Sequence, residues 1–324
     1  METRRLGPMG DVSVLALGGG GLGQVWGETS RAEAVATVHA AIDAGITLLD
    51  VAPSYGRGEA ERVVGEALAG RLPAGVRIGT KVMVGDPGPG AVWDLVERSI
   101  ARSLDTLALE RVDIVYLHSN IVPDGYVQPH HPEAAARMAT PWTRYVDEVR
   151  PAFERLVADG RIGTWGITGV GLPRTIRDAI ADDPAPGVVQ CVTNLLDSVG
   201  SIYVHDEQLG AQSVIEAAAG RGCGVLGIRA VQAGALTDVM DRELPPDDLD
   251  RRDFERAAPF RILARELGES PAALAHRYAL SMPHVGSVVL GVKNRTELAE
   301  CVAAAAVGPL SAAVIARIDG SVAR

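Results

Sequence analysis

Asp50 and Tyr55 lie five residues apart in the stretch ITLLDVAPSYG, Ile46 to Gly56. The stretch is apolar up to the carboxylate, turns at Pro53, and presents the phenol just before Gly56. An aspartate that ends a buried strand and a tyrosine on the loop after it can point into one pocket, and a mere packing element needs neither. Two more polar residues end apolar runs: Lys81 in RIGTKV and His118 in VDIVYLH. Together the four suit proton transfer at a carbonyl or an alcohol. A phenol ionises at about pH 10 and is a poor acid at neutral pH unless its surroundings tune it. A nearby ammonium favours the phenolate and lowers that value. A carboxylate keeps the ammonium charged and oriented, and a histidine orients the carbonyl or shares the proton. Singly, each residue has an ordinary reading: loop brace, pocket-edge ring, solvated strand end, satisfied core histidine. At the ends of three successive strands, the set is far more specific than its members.

Composition singles out the ammonium. The chain has two lysines, Lys81 and Lys293, among 31 basic residues. Arginine is a permanently charged fork, whereas lysine is a compact charge whose pKa responds to its surroundings. A chain this poor in lysine keeps it where arginine fails.

These residues need a scaffold that brings strand ends together. TRRLG and GDVSVLALG read as a hairpin leading into a first strand. TLLDV, RIGTKVMV, VDIVYLH, TWGIT, VVQCVTN, GVLGIRA and SVVLG follow as strands, with helical segments between most of them. Ser30 caps the first helix, which Gly45 closes. Thr143 to Asp159 and Asp253 to Leu267 each read as one helix, and a last one begins after Leu310. The strand runs are continuously apolar rather than alternating, as strands buried on both faces are. Eight βα units in 324 residues predict a single (β/α)8 TIM barrel over 1–324 with an N-terminal β-hairpin, ahead of a doubly wound sheet. The barrel puts chemistry at the C-terminal strand ends, where Asp50, Lys81, His118, Thr168, Gln190, Arg229 and Gly291 all fall. The stretch 119–142 is too long for an ordinary βα connection and reads as a functional or mobile loop.

Charge and composition exclude several classes. A net charge of -10 argues against nucleic acid and anionic membrane as partners. No apolar run approaches the ~18 residues of a span, and METRRLGPMG has no apolar core of a signal peptide. Three scattered cysteines, Cys191, Cys223 and Cys301, fit a reduced cytoplasm and form no metal motif. The adjacent His130 and His131 lack the cysteines or paired carboxylates of a metal site.

DVAPSYG, GTKV and VDIVYLHS, in this order and spacing, resemble the aldo-keto reductase superfamily. The similarity extends from the opening hairpin to LGVKNRTELAEC. It implies a (β/α)8 barrel, a nicotinamide cofactor held without a Rossmann domain, and no metal. It makes Tyr55 the proton donor, tuned by Lys81 and Asp50, with His118 orienting the carbonyl and hydride passing directly between nicotinamide C4 and the substrate carbon. Among the implied cofactor contacts, besides Asp50, are Ser119, which closes VDIVYLHS, and Gln190, which matches a glutamine that holds the carboxamide. The family's Ser-Asn pair stands as Thr168-Gly169 in GITGVG, keeping a hydroxyl and losing an amide. GITG resembles the branch with bacterial and plant aldose and galactose dehydrogenases. A position that often carries a stacking aromatic ring falls near Ile228. Arg229 reaches for the pyrophosphate or forms a salt bridge.

In the last βα loop, GVKNRTELAEC resembles the family's adenosine-phosphate clamp, which implies that Gly291 would hug phosphate and that Lys293, Asn294 and Arg295 would bind a 2′-phosphate. Glu297 replaces a basic or glutamine side chain, and Cys301 replaces an asparagine. An acid at 297 weakens a preference for NADP over NAD. The charges of Lys293 and Arg295 nevertheless favour NADP(H), with NAD(H) as the alternative. In GGGGLG the backbone of Gly19 and Gly20 comes close to the cofactor. No helix is expected to begin inside that run, so it is not a Rossmann fingerprint. Trp26, with Tyr55 and His118, lines the substrate pocket, and Trp142 reaches it from the long loop. Few aromatics, 4 %, suit small aldehydes, ketones or sugars. The expected protein is thus a cytoplasmic NAD(P)H-dependent carbonyl reductase. The alternatives are an NAD-dependent aldose dehydrogenase and a nicotinamide-nucleotide-binding regulatory subunit, which would have no need of Tyr55 beside Lys81.

Overall fold

The computed structural model describes residues 1–129, 132–202, 205 and 207–322. The opening hairpin pairs β1 (Thr3–Arg5) with β2 (Asp11–Ser13). The barrel starts with β3 (Leu15–Gly18), β4 (Leu48–Asp50), β5 (Arg77–Val82) and β6 (Val112–Leu117). A short side ladder of β7 (Asn120–Val122) and β8 (Ala139–Pro141) interrupts it. The barrel then resumes with β9 (Ile162–Gly169), β10 (Val188–Val192), β11 (Gly224–Ile228) and β12 (Val285–Leu290). These eight parallel strands close in chain order, with β12 pairing back onto β3. Their apolar runs have the physical cause expected of them. One face packs into the barrel centre and the other against helices, so neither can be polar.

The barrel centre holds Ala16, Leu48, Ile114, Tyr116, Val188 and Leu226, and the hairpin's Leu6, Met9 and Val12 seal its lower end. The seal is tight: a Cβ on Gly7, where φ is +52°, would lie 2.5 Å from the Gly224 nitrogen. Ser30 caps the helix Arg31–Asp43 by accepting the Glu33 amide hydrogen at 3.1 Å. Ser270, Asn294 and Ser311 cap later helices in the same way, each satisfying a backbone donor that the helix itself leaves free.

Three local expectations change. A single helical turn, Gly19–Leu22, begins inside the glycine run, where none was expected. The segment Thr143 to Asp159 is not one α-helix: Trp142–Arg144 passes into a π-turn, Tyr145–Val149, before the helix Arg150–Ala158. Pro151 cannot donate a ladder hydrogen bond, and a local slip of the ladder accommodates it. Asp253 to Leu267 divides into Leu249–Arg256 and Ala258–Glu266, because Pro259 suits the first turn of a helix and not an interior. The long segment after β6 is anchored at both ends by the β7–β8 ladder.

Candidate functional site

The upper rim of the barrel brings Asp50, Tyr55, Lys81 and His118 together. Asp50 ends β4 opposite Gly79 of β5, and Lys81 is paired with Tyr116 of β6. Lys81 Nζ donates to Asp50 Oδ2 at 2.7 Å and to the Val51 carbonyl at 3.0 Å. The other Asp50 oxygen accepts Gln190 Nε2 at 3.0 Å. Lys81 is 1 % exposed, so this is a fully desolvated ion pair, which holds only when hydrogen bonds satisfy both partners. The Tyr55 ring lies 4.9 Å from Lys81 Nζ and meets the His118 ring edge-on, with centroids 5.7 Å apart. Ser54 Oγ approaches His118 Nδ1 at 3.4 Å, which leaves Nε2 free of that contact.

Electrostatics sharpen the roles these groups can take. Burial raises the Tyr55 pKa; Lys81 pulls it down, but not enough, and Asp50 adds to the rise. The lowering by Lys81 is thus present but outweighed by burial, and Tyr55 is a neutral phenol at pH 7 with a proton to give. Burial works against the Lys81 charge, but Asp50 and Tyr55 outweigh it and hold the lysine protonated. Burial, with help from Lys81, pulls His118 down to about 3, so its imidazole is neutral across the working range. A neutral imidazole can donate a hydrogen bond to a carbonyl oxygen without competing to protonate it.

The other expected residues divide into two groups. Near the tetrad, Thr168 Oγ1 donates to the Leu117 carbonyl at 3.0 Å. Trp26 sits over the glycine run: a Cβ on Gly20 would lie 2.4 Å from its Nε1, and one on Gly291 would lie 3.4 Å away. Gly19 is tucked against Val51 and Ala60. Arg229, with φ +58°, places its guanidinium 5.8 Å from the Trp26 ring. It donates to Gln232 Oε1 at 2.7 Å and lies 3.6 Å from Asp250. Burial pulls Arg229 down to about 10 against the opposing charge of Asp250, so it remains a cation at neutral pH. Backbone-lined glycines, a buried cation and the amide of Gln190 are a donor set that fits a nicotinamide dinucleotide.

In the last βα loop the geometry is tied up in ion pairs. Lys293 Nζ contacts Asp241 Oδ2 at 2.6 Å and Glu297 Oε1 at 3.5 Å. Glu297 Oε2 accepts the Lys293 amide hydrogen, while Asn294 Oδ1 caps the following helix. Arg295 is gripped by both oxygens of Glu33, at 3.1 and 2.9 Å. Ser119 Oγ accepts the Val84 and Gly85 amide hydrogens and bonds Thr140 Oγ1, holding the long loop. Cys301 Sγ turns to the His276 ring at 3.9 Å. Trp142 packs on Tyr145. His130 and His131 lie outside the described residues. Among the described residues no group of three or more His, Cys, Asp or Glu is placed for a metal, and no helix is long and apolar enough to cross a membrane.

Sequence reasoning missed Ser54, Glu33, Asp241 and Asp250. Ser54 had a local signal, lying next to Tyr55. The acids lie far in sequence from the cations they neutralise and had none.

A family model described as the Aldo/keto reductase family matches residues 14–323. L-galactose dehydrogenase of Arabidopsis thaliana is 28 % identical over 307 residues, covering 94 % of this chain and 88 % of that protein. D-threo-aldose 1-dehydrogenase of a Pseudomonas species is 26 % identical over 324 residues, covering 89 % of this chain and 88 % of that protein. The solved holo form of an aldo-keto reductase from Bacillus halodurans superposes with a TM-score of 0.72 at 21 % identity, over all of this chain and 97 % of that one; at that identity it speaks for the fold.

Proposed function

The chain belongs to the aldo/keto reductase family, and from that premise we propose that it interconverts a small aldehyde, ketone or sugar with its alcohol, using Tyr55 as general acid and base and NAD(H) as preferred cofactor. Membership makes it an NAD(P)-dependent oxidoreductase of carbonyl and alcohol groups. The observation that carries the finer reading is the buried ammonium of Lys81, 2.7 Å from Asp50 and 4.9 Å from the Tyr55 ring.

The bound nicotinamide supplies the hydride in reduction and accepts it in oxidation. In reduction, His118 donates a hydrogen bond to the carbonyl oxygen and sets its direction. Tyr55 delivers its proton to that oxygen as negative charge builds there, and Lys81 stabilises the phenolate left behind. Asp50, fixed by Gln190, keeps Lys81 charged and in place. In oxidation the same phenolate takes the alcohol proton.

The choice of NAD(H) rests on the last βα loop. The sequence favoured NADP(H) through Lys293 and Arg295, but each is neutralised by carboxylates: Asp241 and Glu297 for one, Glu33 for the other. A 2′-phosphate brings about two more negative charges and meets acids already bound to its natural partners. The similarity to L-galactose and D-threo-aldose dehydrogenases supports sugars as substrates and the oxidative direction. Titration with NADH and NADPH, followed by tryptophan quenching, and then an assay of aldehydes and aldoses, tests the proposal. Tighter NADH binding with turnover supports it. Tight binding without turnover on any substrate makes the protein a nucleotide-sensing subunit, and binding of neither nucleotide ends the reading.

A further inference from the structure

The interior of the barrel holds a second phenol that the reaction outlined above does not use. Tyr116 is 0 % exposed and sits beside Lys81 in register, on the strand that leads to His118. Its ring occupies space that two glycines leave. A Cβ on Gly166 would lie 2.8 and 2.9 Å from its Cδ1 and Cε1, and one on Gly79 would lie 3.4 Å from its Cε2. The Gly79 position also borders Asp50 Oδ1, at 3.7 Å. Lys81 Nζ is 5.8 Å from the Tyr116 ring centroid and 4.9 Å from that of Tyr55, so the ammonium has a phenol on each of two neighbouring elements. The Tyr116 hydroxyl is buried and has no hydrogen-bond partner among the described residues. A buried hydroxyl without a partner is costly, and phenylalanine would fill the same space without that cost.

We propose that Tyr116 is a positioning residue whose hydroxyl dipole, facing the Asp50–Lys81 pair from within the barrel, sets how strongly that pair acts on Tyr55. The significance for turnover rests on the function proposed above. The phenol proton is free to turn, and the Cε2 edge of the Tyr116 ring and Asp50 Oδ1 border the same Gly79 position, at 3.4 and 3.7 Å from where its Cβ would stand. Burial and Asp50 together hold Tyr116 protonated, so the dipole is permanent. A positive dipole end near Asp50 offsets part of the carboxylate's field. Lys81 then acts on Tyr55 with more of its own charge, which favours the phenolate. Removing the hydroxyl restores the full field of Asp50, and the Tyr55 phenolate becomes harder to form.

The two-lysine composition makes this measurable without turnover. In the full-length protein labelled with 15N at lysine Nζ, only Lys81 and Lys293 give side-chain signals, and a Lys293→Arg sample assigns them. Tyr116→Phe should fold with an unchanged or higher melting temperature and move the Lys81 signal while leaving that of Lys293 in place. In alcohol oxidation, the pH midpoint of kcat/KM should rise by about 0.5 unit or more, with KM unchanged. An unmoved Lys81 signal overturns the proposal. So does a moved signal with an unmoved midpoint, because Tyr116 would then be filling space only. A wild type inert toward every substrate counts against the proposed function instead, and the Lys81 signal then decides this inference alone.

Discussion

At the scale of single residues, the neutral state of Tyr55 has a direct consequence for direction. Burial holds its pKa above the usual phenol value, so the acid form needed for reduction is present from neutral pH up to that raised value. Oxidation needs the phenolate and should rise with pH into the alkaline range. Rates of both directions across pH 6 to about 10.5 check this, and an oxidation rate flat over the range would count against Tyr55 as the base. Tyr55→Phe should keep cofactor binding and lose turnover by about 10²- to 10⁴-fold. Lys81 is different because it is half of a buried pair. Lys81→Met leaves the Asp50 charge without its main partner and should cost about 3–5 kcal/mol of stability as well as activity, read by urea unfolding. Retention of full stability would mean that Gln190 alone satisfies Asp50.

At the scale of elements, the last βα loop and the first helix act together on cofactor choice. Arg295, at the start of the helix Arg295–Ala306, is held by Glu33 from the helix Arg31–Asp43. Glu33→Gln frees one cation, and Glu297→Gln removes a carboxylate from Lys293. The double variant should raise affinity for NADP+ relative to NAD+ by about tenfold or more, since about 1.4 kcal/mol suffices for that factor and two carboxylates are removed, although Lys293 keeps its pair with Asp241. An unchanged ratio of dissociation constants would place the ribose elsewhere. The barrel strands were legible because burial on both faces leaves unbroken apolar runs; Asp50, Lys81 and His118 because a polar group ending such a run is conspicuous, and Tyr55 because it follows one of them on a short loop. The ion pairs were not legible: Glu33 and Arg295 are 262 residues apart, and Asp241 and Lys293 are 52 apart. A basic residue in a string shows its charge but not the acid that will cancel it. Tyr116 was hidden for a related reason, because inside an apolar run it looks like filling.

At the scale of the whole molecule, the buried titrating groups decide how the protein responds to acid. His118 and His276 are both pulled down by burial, His118 to about 3. Between that value and the unfolded value of about 6.5, the unfolded chain binds protons that the folded one refuses, so stability is full above pH 6.5 and is lost as pH falls. Glu61 works the other way. It is 2 % exposed, accepts a hydrogen bond from Thr80 Oγ1 at 2.6 Å, and burial raises its pKa, so the folded state takes up this proton first and gains stability as pH falls. Surface carboxylates held low by arginines, such as Glu33 and Asp182, add little, because solvent screens such pairs. The two histidines give an uptake of up to about two protons on unfolding below pH 6.5, each a loss of about 1.4 kcal/mol per pH unit, and Glu61 offsets part of it once the folded state holds its proton. Urea unfolding at pH 7, 6 and 5 in about 0.15 M salt, where repulsion among the surface charges is screened, measures the slope. Glu61→Gln removes the opposing group and should steepen it, while His118→Asn should flatten it. A slope of zero in the wild type that stays zero in both variants would mean that neither histidine is held neutral by the fold, and the uncharged hydrogen-bond donor assigned to His118 would have to be abandoned with it.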